Sequence, residues 1–385
     1  MSADEAGEEI EEPIYGKTYL PRKFKIGMAV PPSNDVDLFS QDIGLVAIVE
    51  DGETVGYSVY VGGGFGMSHG KQETYPCLAQ PLFYCSREHT AAACEAIVQV
   101  QRENGDRSDR KHARMKYLVA EKGVEWFREQ LAARIDFATE PVREAQLDSV
   151  EDTLGWHEQG DGKLFVGVHV AQGRIADETA SKYRSAFREI VEAYGCPTRV
   201  TPNANLYIYD LDPSAKGDIS AILAKHQVPT GEAFTKTRQI GHACVSLPTC
   251  GLALAESERV FTDLLDSIDE VLKDLDMEDE QILVRMTGCP NGCARPYNAD
   301  FGFVGRAPRK YAMYVGGSSS GDRLASLEKK VVLFDDIPAE IRRHLEAFKN
   351  GRENGETFSQ FWGRTNPDAV TPTPAQFHLE EGDRS

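Results

Sequence analysis

The sequence lacks long apolar runs and has too few basic residues to balance its acidic ones. No stretch approaches the roughly 20 apolar residues that a membrane-spanning helix needs, so we expect no membrane association. The beginning of the chain, MSADEAGEEIEEP, is acidic and polar, which is not the pattern of a secretory signal. We therefore expect a cytoplasmic protein whose residues 1–12 form a disordered leader.

Basic residues number 42 against 61 acidic ones, which gives a net charge of −19. Such an excess of negative charge argues against a nucleic-acid-binding surface. It also means that an anionic substrate or cofactor needs a local basic pocket to be held against the field of the whole molecule.

Short strand-like and helical segments alternate along the chain and predict an α+β fold with mixed β-sheets and flanking helices. From Leu154 onward a β-α-β order predicts a compact unit of ferredoxin-like type. The expected organisation after the leader is a first domain at 13–150, a ferredoxin-like half-domain at 151–238, a C-terminal domain at 239–365 and a flexible tail at 366–385.

The chain has eight cysteines, and four of them form two close pairs. Cys244 and Cys250 are spaced C-x5-C, and Cys289 and Cys293 are spaced C-x3-C. In a long chain without an export signal, clustered cysteines more often bind metal than form disulfides. The other four are expected to be ordinary packed thiols: Cys77, Cys85, Cys94 and Cys196.

The spacing of the two pairs allows an iron–sulfur cluster, a structural zinc ion or no metal. C-x5-C fits a zinc knuckle poorly, whereas a cubane cluster accepts wider spacing because its irons are spread over a larger body. Gly288 and Gly292 would let the chain turn tightly around such a body. We further expect a long helix that begins directly after Cys250 and directs its positive end at the site.

Two basic motifs are candidates for anion binding. The motif PRKFK contains Arg22, Lys23 and Lys25, and on a strand the two lysines would point to one face. The alternative is an exposed basic edge strand. In RSDRKHARMKY, Arg110 and Arg114 are spaced i, i+4 on a predicted helix, for which a solvated helix face is the alternative. The glycine run at 62–66 lacks the P-loop pattern and predicts a close approach of the backbone to a neighbouring group.

These motifs together resemble the assimilatory sulfite reductase haemoproteins. The signature is TGCPNGCARPY, preceded by ACVSLPTCGLALAESER. Further similar segments occur in the same order, among them YLPRKFKIGMAVPPSNDVDLFSQDIG and VQRENGDRSDRKHARMKYL. The resemblance covers roughly residues 13–365. Several segments are closer in sequence to the ferredoxin-dependent type of the family.

The resemblance implies two cofactors, a 4Fe–4S cluster and sirohaem. Ligands to the cluster would be Cys244, Cys250, Cys289 and Cys293, of which Cys293 would also bridge to the sirohaem iron. Lys23 and Lys25 would be catalytic, holding sulfite and supplying protons. Further cofactor-binding residues would be Arg22, Arg110, Arg114, Lys116 and Asn291, since sirohaem carries eight carboxylates and needs cations around it. The first domain would then bind sirohaem and sulfite, and the C-terminal domain the cluster and sirohaem.

The function that the resemblance implies is the six-electron reduction of sulfite to sulfide in sulfate assimilation. The electron donor would be a ferredoxin or an NADPH-flavoprotein subunit. An acidic ferredoxin would dock on a basic patch of Arg306, Arg309, Lys310 and Arg323, for which scattered surface charge is the alternative. Family members have a further N-terminal half before LPRKFK, so this chain is expected to be a partial enzyme with weak or no activity alone. The alternatives are a ferredoxin–nitrite reductase and an inactive, cluster-bearing electron-transfer fragment.

Overall fold

The computed structural model describes residues 11–318, 320–367 and 373–378, which divide into two compact units. The first unit contains residues 11–68 and 73–148, and the second contains 69–72 and the described residues from 149 onward. Within these ranges no helix is both long and apolar enough to cross a membrane. Both units combine β-sheets with helices, so the predicted α+β class is confirmed.

The first unit is a four-stranded sheet with helices packed on it. The strands lie in the order β1-β2-β3-β4, with β1 parallel to β2 and the other neighbours antiparallel. The strands are β1 (Ile26–Ala29), β2 (Ile43–Glu50), β3 (Glu53–Val61) and β4 (Gln80–Ser86), and the helices are α1 (Thr90–Asn104), α2 (Met115–Lys122) and α3 (Val124–Ala132). Val59 and Val61 of β3 share a buried core with Ile97 of α1 and Phe127 of α3, since alternate residues of a strand face the same side.

The second unit begins with a four-stranded antiparallel sheet in the order β5-β6-β8-β7. Its elements are β5 (Gly155–Glu158), β6 (Leu164–Val168), α4 (Tyr183–Tyr194), β7 (Thr198–Val200), β8 (Leu206–Leu211) and α5 (Lys216–Lys225). In α4, Tyr183, Ala186, Phe187 and Ile190 are buried, a spacing of three to four residues that places them on one helical face.

The rest of the second unit is a five-stranded sheet in the order β13-β12-β11-β10-β9. The strands β9, β10 and β11 are parallel to one another, and β12 and β13 continue antiparallel. Its elements are α6 (Lys236–Ile240), β9 (His242–Ala243), α7 (Glu258–Asp274), β10 (Val284–Thr287), β11 (Phe301–Ala307), β12 (Lys310–Val315), β13 (Ser326–Leu333), α8 (Ile337–Gly351) and α9 (Phe358–Thr365). The mixture of parallel and antiparallel strands agrees with the prediction.

The first sheet and the five-stranded sheet are built on the same plan. In each, two parallel strands are followed by two antiparallel ones: β1–β4 in the first unit and β10–β13 in the second. The last strand leads in both cases through a three-residue 3-10 turn into a 15-residue helix, α1 or α8. The two sheets differ at one edge, because β10 has β9 as a further parallel neighbour, whereas within the described residues β1 pairs only with β2.

Two sequence expectations about local structure in the second unit are wrong. The helix expected directly after Cys250 begins only at Glu258, because residues 251–257 form a loop whose backbone bonds to the next cysteine loop instead. Residues 373–378 were expected to lie in a flexible tail, but Phe377 is 1% exposed and its carbonyl accepts a hydrogen bond from the Tyr314 hydroxyl (2.9 Å). Residues 1–10, 368–372 and 379–385 of the predicted leader and tail lie outside the described residues.

Candidate functional site

The two cysteine pairs follow neighbouring parallel strands. Cys244 comes directly after β9, and Cys289 lies two residues after the end of β10. In the parallel pairing, Met286 lies opposite Ala243. Because parallel strands end at the same edge of a sheet, the two cysteine loops emerge side by side. Cys250 and Cys293 then lie within these two loops.

The four thiols lie close enough to influence one another. Burial raises the pKa of Cys289, and the neighbouring Cys293 and Cys250 raise it further. Burial also raises the pKa of Cys244, with added effects of Cys293 and Cys289, while the Gly288 N–H bonded to its sulfur lowers it. That N–H lies 3.4 Å from the Cys244 Sγ. Four mutually interacting thiols on two turns form a donor set of soft, anionic ligands.

The soft, anionic donor set suits an iron–sulfur cluster. A structural zinc ion would need four ligands at about 2.0–2.3 Å from one point. An iron–sulfur cluster binds each cysteine at a different iron, so its four ligand sulfurs surround the cluster and do not share one metal ion. Cys293 is exposed, Cys244 and Cys250 are half-buried, and Cys289 is buried. The assignment of all four as ligands stays a prediction.

Asn291, which sequence analysis assigned to cofactor binding, lies against Cys289. Its backbone N–H and its side chain both hydrogen-bond the Cys289 sulfur, which lowers the pKa of that thiol against the effect of burial. Donors aimed at a ligand sulfur stabilise its thiolate form. Asn291 therefore acts on a candidate ligand, and a contact of its own with a cofactor stays a prediction.

The two cysteine loops are locked together by backbone hydrogen bonds. The carbonyl of Gly288 accepts bonds from the N–H groups of Leu254 (2.7 Å) and Ala255 (3.1 Å). A β-carbon at Gly288 would lie 1.9 Å from the Ser246 Oγ, so only glycine fits there. The N–H of Glu258, the first residue of α7, donates to the Cys244 carbonyl (3.1 Å). The loops are thus held by the sheet and by α7 independently of any bound group.

Sequence reasoning missed a set of buried polar residues behind the second cysteine loop. The Tyr297 hydroxyl donates to the Pro290 carbonyl (3.0 Å), and the Arg285 guanidinium donates to the Asn298 Oδ1 (3.0 Å). Burial raises the pKa of Asp300 to about 7, although Arg323 and Arg285 oppose the shift. The sequence feature that could have predicted these residues is the single arginine in QILVRMTG. A charged side chain within a strand that is buried on both sides needs polar partners.

In the first unit, three of the predicted anion-binding residues line one surface cavity. Arg22, Lys23 and Arg110 surround a volume of about 450 Å³ together with Leu20 and Pro21. Cationic side chains that share one open cavity form a favourable place for a multiply charged anion. The structure therefore brings together residues from both basic motifs, which lie almost 90 positions apart in the sequence.

Lys23 and Lys25 do not lie on a strand, contrary to the prediction. The strand β1 begins at Ile26, because the Lys25 N–H donates to the side chain of Asp42 (2.9 Å) rather than to a strand partner. Lys23 is exposed and Lys25 is half-buried. Their shared face therefore cannot be derived from strand alternation, and their roles stay predictions.

The helix predicted to carry Arg110 and Arg114 at i, i+4 is wrong, because α2 begins only at Met115 and Arg110 lies in a turn. Arg114 and Lys116 make contacts within the first unit. Arg114 pairs with the fully buried carboxylate of Asp42 through two hydrogen bonds (2.8 and 3.2 Å). The Lys116 ammonium, 1% exposed, donates to the carbonyls of Gly64 (3.1 Å), Gly66 (2.9 Å) and Tyr75. Burial and the neighbouring Arg114 lower the pKa of Lys116 to about 7. As contacts to an anionic cofactor, both residues stay predictions.

The glycine run approaches its neighbours as closely as predicted. A β-carbon on Gly63 would lie 2.2 Å from the Phe39 carbonyl, and one on Gly62 would lie 2.8 Å from the Val119 side chain. The partners seen here are protein groups, namely the turn at 38–41 and α2. This close packing explains why the run is rich in glycine.

The basic docking patch expected from Arg306, Arg309, Lys310 and Arg323 does not form as a free cationic surface. Of the four, only Arg309 is exposed, and it pairs with Asp335 (2.5 Å). Arg323 is directed inward and donates to the Gly316 carbonyl (3.0 Å) and the Ser359 Oγ (2.7 Å). Arg306 donates to the Tyr314 hydroxyl (3.2 Å). The three arginines therefore direct their positive charge to partners within the protein.

Two family models match the chain, one in each unit. Residues 2–138 match the family model described as the nitrite and sulphite reductase 4Fe-4S domain, and residues 157–226 match the nitrite/sulfite reductase ferredoxin-like half domain. The first match does not include the four clustered cysteines. It covers the sheet β1–β4, whose plan the cysteine-bearing sheet repeats.

Whole-chain relatives extend over the cysteine region as well. The chain is 44% identical to the sulfite reductase (NADPH) hemoprotein beta-component of Staphylococcus carnosus, over 92% of this chain and 62% of the relative. It is 46% identical to the sulfite reductase (ferredoxin) of Synechococcus elongatus, over 93% of this chain and 58% of the relative. The chain thus spans about three fifths of the length of these relatives.

A solved structure confirms the fold. The Mycobacterium tuberculosis NirA protein superposes with a TM-score of 0.75 at 25% identity, over 95% of this chain and 64% of that one. The family models, the whole-chain relatives and this superposition agree with one another. The chain belongs to the nitrite and sulfite reductase family.

Proposed function

We propose that this chain is the cluster-bearing part of a sulfite reductase haemoprotein. The reaction would be the reduction of sulfite to sulfide and water with six electrons and six protons, in sulfate assimilation in the cytoplasm. The observation that carries the proposal is the convergence of four thiols on two interlocked loops at one sheet edge. The two whole-chain relatives described above, both named sulfite reductases, support it.

The chain's own residues would supply the ligands and the surroundings of the cofactors. Cys244, Cys250, Cys289 and Cys293 would hold a 4Fe–4S cluster, and Cys293 would also contact sirohaem. Once bound, the two cofactors would supply electron relay and an iron that binds the sulfur of sulfite. The Gly288 N–H and Asn291 stabilise thiolates by donating to two of the sulfurs.

The basic cavity of the first unit would act on the anionic groups. Arg22, Lys23 and Arg110 would neutralise oxyanion or carboxylate charge there, and Lys23 and Lys25 would deliver protons as water leaves. Asp42 fixes the Lys25 backbone and the Arg114 guanidinium at the same time. This shared carboxylate keeps the two basic motifs in one position relative to each other.

The donor would be a ferredoxin or an NADPH-dependent flavoprotein subunit, since relatives of both kinds match the chain. Nitrite is the second candidate substrate, because the matched family model covers nitrite and sulfite reductases alike. A cluster-bearing electron-transfer module without catalysis is the candidate from another class. Neither nucleic acid nor a membrane is expected as a partner.

The test is an absorption spectrum of the protein purified with its cofactors, followed by assays with sulfite and nitrite. Sirohaem bands coupled to cluster absorption, with faster turnover of sulfite than of nitrite, would support the proposal. Faster turnover of nitrite than of sulfite would show that nitrite is the substrate. Cluster absorption without sirohaem would favour the electron-transfer module, and a colourless protein with stoichiometric zinc would exclude redox chemistry.

A further inference from the structure

The loop that follows β6 reaches the strand from which Cys244 emerges. In this loop the Gln172 Oε1 accepts a hydrogen bond from the Ala243 N–H (2.7 Å). Ala243 is the last residue of β9, and the next N–H, that of Cys244, donates to the Met286 carbonyl of β10 (3.1 Å). Consecutive N–H groups of an extended chain point to opposite edges. Gln172 therefore takes up the amide on the outer edge of β9.

The same loop also supports the residue that binds the Cys244 carbonyl. The Arg174 guanidinium pairs with both carboxylate oxygens of Glu258, at 2.9 Å for the bond to Oε2. The Glu258 N–H in turn donates to the Cys244 carbonyl (3.1 Å). The Glu258 side chain is 8% exposed, and a bidentate pair with a buried carboxylate fixes the geometry of both partners. Two separate routes thus lead from residues 172–174 to the backbone of Cys244.

The backbone at Gln172 has a conformation that is uncommon for a residue with a β-carbon. Its φ and ψ angles are 52° and 24°, in the left-handed region. Gly173 is also left-handed (φ 74°), and a β-carbon there would lie 2.9 Å from the Ala204 Cβ. Strained residues persist where their surroundings fix them, and they are concentrated at functional sites. The contact that this conformation allows is the hydrogen bond to Ala243.

Cys244 needs support from outside the sheet because β9 is short. The strand has two residues and is an edge strand of the five-stranded sheet. A short strand with a ladder on one side only opens more readily than a central strand. The loop at 172–174 supplies bonds on the other side, so it acts on the one candidate ligand that follows an edge strand.

We propose that Gln172 is a positioning residue for Cys244, assisted by the pair of Arg174 and Glu258. Gln172 keeps the backbone at 243–244 closed against β10, which holds the Cys244 sulfur in place for a cluster. Both loop residues lie in the region that matches the ferredoxin-like half domain, so that half-domain controls how firmly the cluster is held. The inference rests on the proposed function where it concerns the cluster, and on the geometry alone where it concerns the backbone.

The first test measures hydrogen exchange on the full chain without a cluster. Gln172→Met keeps the length of the side chain and removes the acceptor, whereas Gln172→Glu keeps an acceptor oxygen. The readout is the Cys244 amide, whose own acceptor, Met286, is unchanged. We expect it to exchange about tenfold faster in Gln172→Met, the effect of losing one hydrogen bond, and at the wild-type rate in Gln172→Glu.

A second variant tests the other route and a third is the control. Arg174 is 42% exposed, so Arg174→Gln should fold, and we expect about threefold faster exchange at Cys244. Gln159 lies between β5 and β6, and its Oε1 likewise accepts a backbone N–H, that of Asp210 (2.6 Å). Gln159→Met therefore loses the same kind of bond and should leave the Cys244 amide unchanged. Circular dichroism spectra check that all variants are folded.

The second test measures the loss of iron to a chelator after reconstitution with iron and sulfide. Gln172→Met should release iron about fivefold faster than the wild type, and Gln172→Glu and Gln159→Met should release it at the wild-type rate. A wild-type chain that binds no iron would contradict the proposed function. Faster exchange at Cys244 in Gln172→Met would then still support the positioning role, and unchanged exchange would overturn it.

Three results would overturn the inference. The first is wild-type exchange at Cys244 in both Gln172→Met and Arg174→Gln. The second is equal behaviour of Gln172→Met and Gln172→Glu, which would assign the effect to side-chain packing instead of the hydrogen bond. The third is faster exchange without faster iron release in a chain that binds a cluster, which would show that the half-domain does not control how firmly the cluster is held.

Discussion

Individual thiols in this protein fall into two classes that their surroundings distinguish. Cys196 is buried in the core of the second unit beside Val166 and Ile208, as expected of an ordinary packed thiol. Cys250 and Cys293 lie on loops with other thiols nearby. We therefore expect the loop cysteines, and not Cys196, to bind iron. A ligand thiolate must be accessible to the metal and needs neighbouring hydrogen-bond donors.

Replacing one loop cysteine should therefore abolish the cluster. Cys250→Ser, reconstituted with iron and sulfide, should lose most of its bound iron and its visible cluster absorption. Cys196→Ser should keep the wild-type iron content. Iron and protein determinations measure the effect, and a Cys250→Ser protein with wild-type iron would show that this thiol is not a ligand.

A second prediction at this scale concerns pH. Burial lowers the pKa of His169 to about 4 from its ordinary 6.5. The unfolded chain therefore binds a proton near pH 6.5 that the folded protein does not take up until about pH 4. Stability should fall across that window by up to about 3 kcal/mol from this group.

Urea unfolding measured from pH 7 to pH 4 tests this expectation. His169→Gln should flatten the decline in the free energy of unfolding, whatever its effect at pH 7. His157→Gln changes an exposed histidine of the same unit and should keep the wild-type slope. Equal slopes for all three proteins would mean that His169 carries a proton in the folded state.

Packing strongly constrains the two cysteine loops where they meet. A β-carbon at Gly288 would lie 1.9 Å from the Ser246 Oγ and 2.6 Å from the Ala255 carbonyl. The second of these is backbone and cannot move without shifting the Cys250 loop. The loops can therefore tolerate little change at their point of contact.

Gly288→Ala should destabilise the protein by about 1–3 kcal/mol, the usual cost of overpacking, and should lower the yield of cluster. Gly251, in the neighbouring loop, has no atom within 4 Å of an added β-carbon, so Gly251→Ala is the control. Thermal unfolding and iron content report the two effects. A Gly288→Ala protein as stable as the control would mean that the loops separate freely.

The whole chain spans about three fifths of the length of its matched relatives. This partial coverage limits the activity that we expect of the chain alone. The four predicted cluster ligands all lie in the second unit, so we expect the purified chain to take up a cluster. The sirohaem site and the sulfite site are expected to need residues from outside the matched region.

We therefore expect sulfite turnover by the chain alone to be at least tenfold below that of the Synechococcus elongatus relative assayed with the same reduced donor. Adding the polypeptide that carries the unmatched 42% of that relative should raise both sirohaem content and turnover. Bovine serum albumin at the same concentration serves as the control addition. Full turnover by the chain alone would contradict this expectation.

The sequence by itself determined the cysteine quartet, the two basic motifs, the α+β class and the family, because short motifs and periodic apolar residues are local properties of the chain. The helix α4 and the strands β10 and β11 were predictable for the same reason. The late start of α7 was not, because the loop before Glu258 follows from hydrogen bonds to the Gly288 carbonyl, which only the folded chain brings near.

Only the tertiary structure decided the contacts of the charged residues. It buries Lys116 on three carbonyls and pairs Arg114 with Asp42. It places Arg22, Lys23 and Arg110 around one cavity and turns Arg323 inward. It also revealed the repeated sheet plan and the open edge of β1, since strand order and pairing depend on contacts between distant residues that no local pattern records.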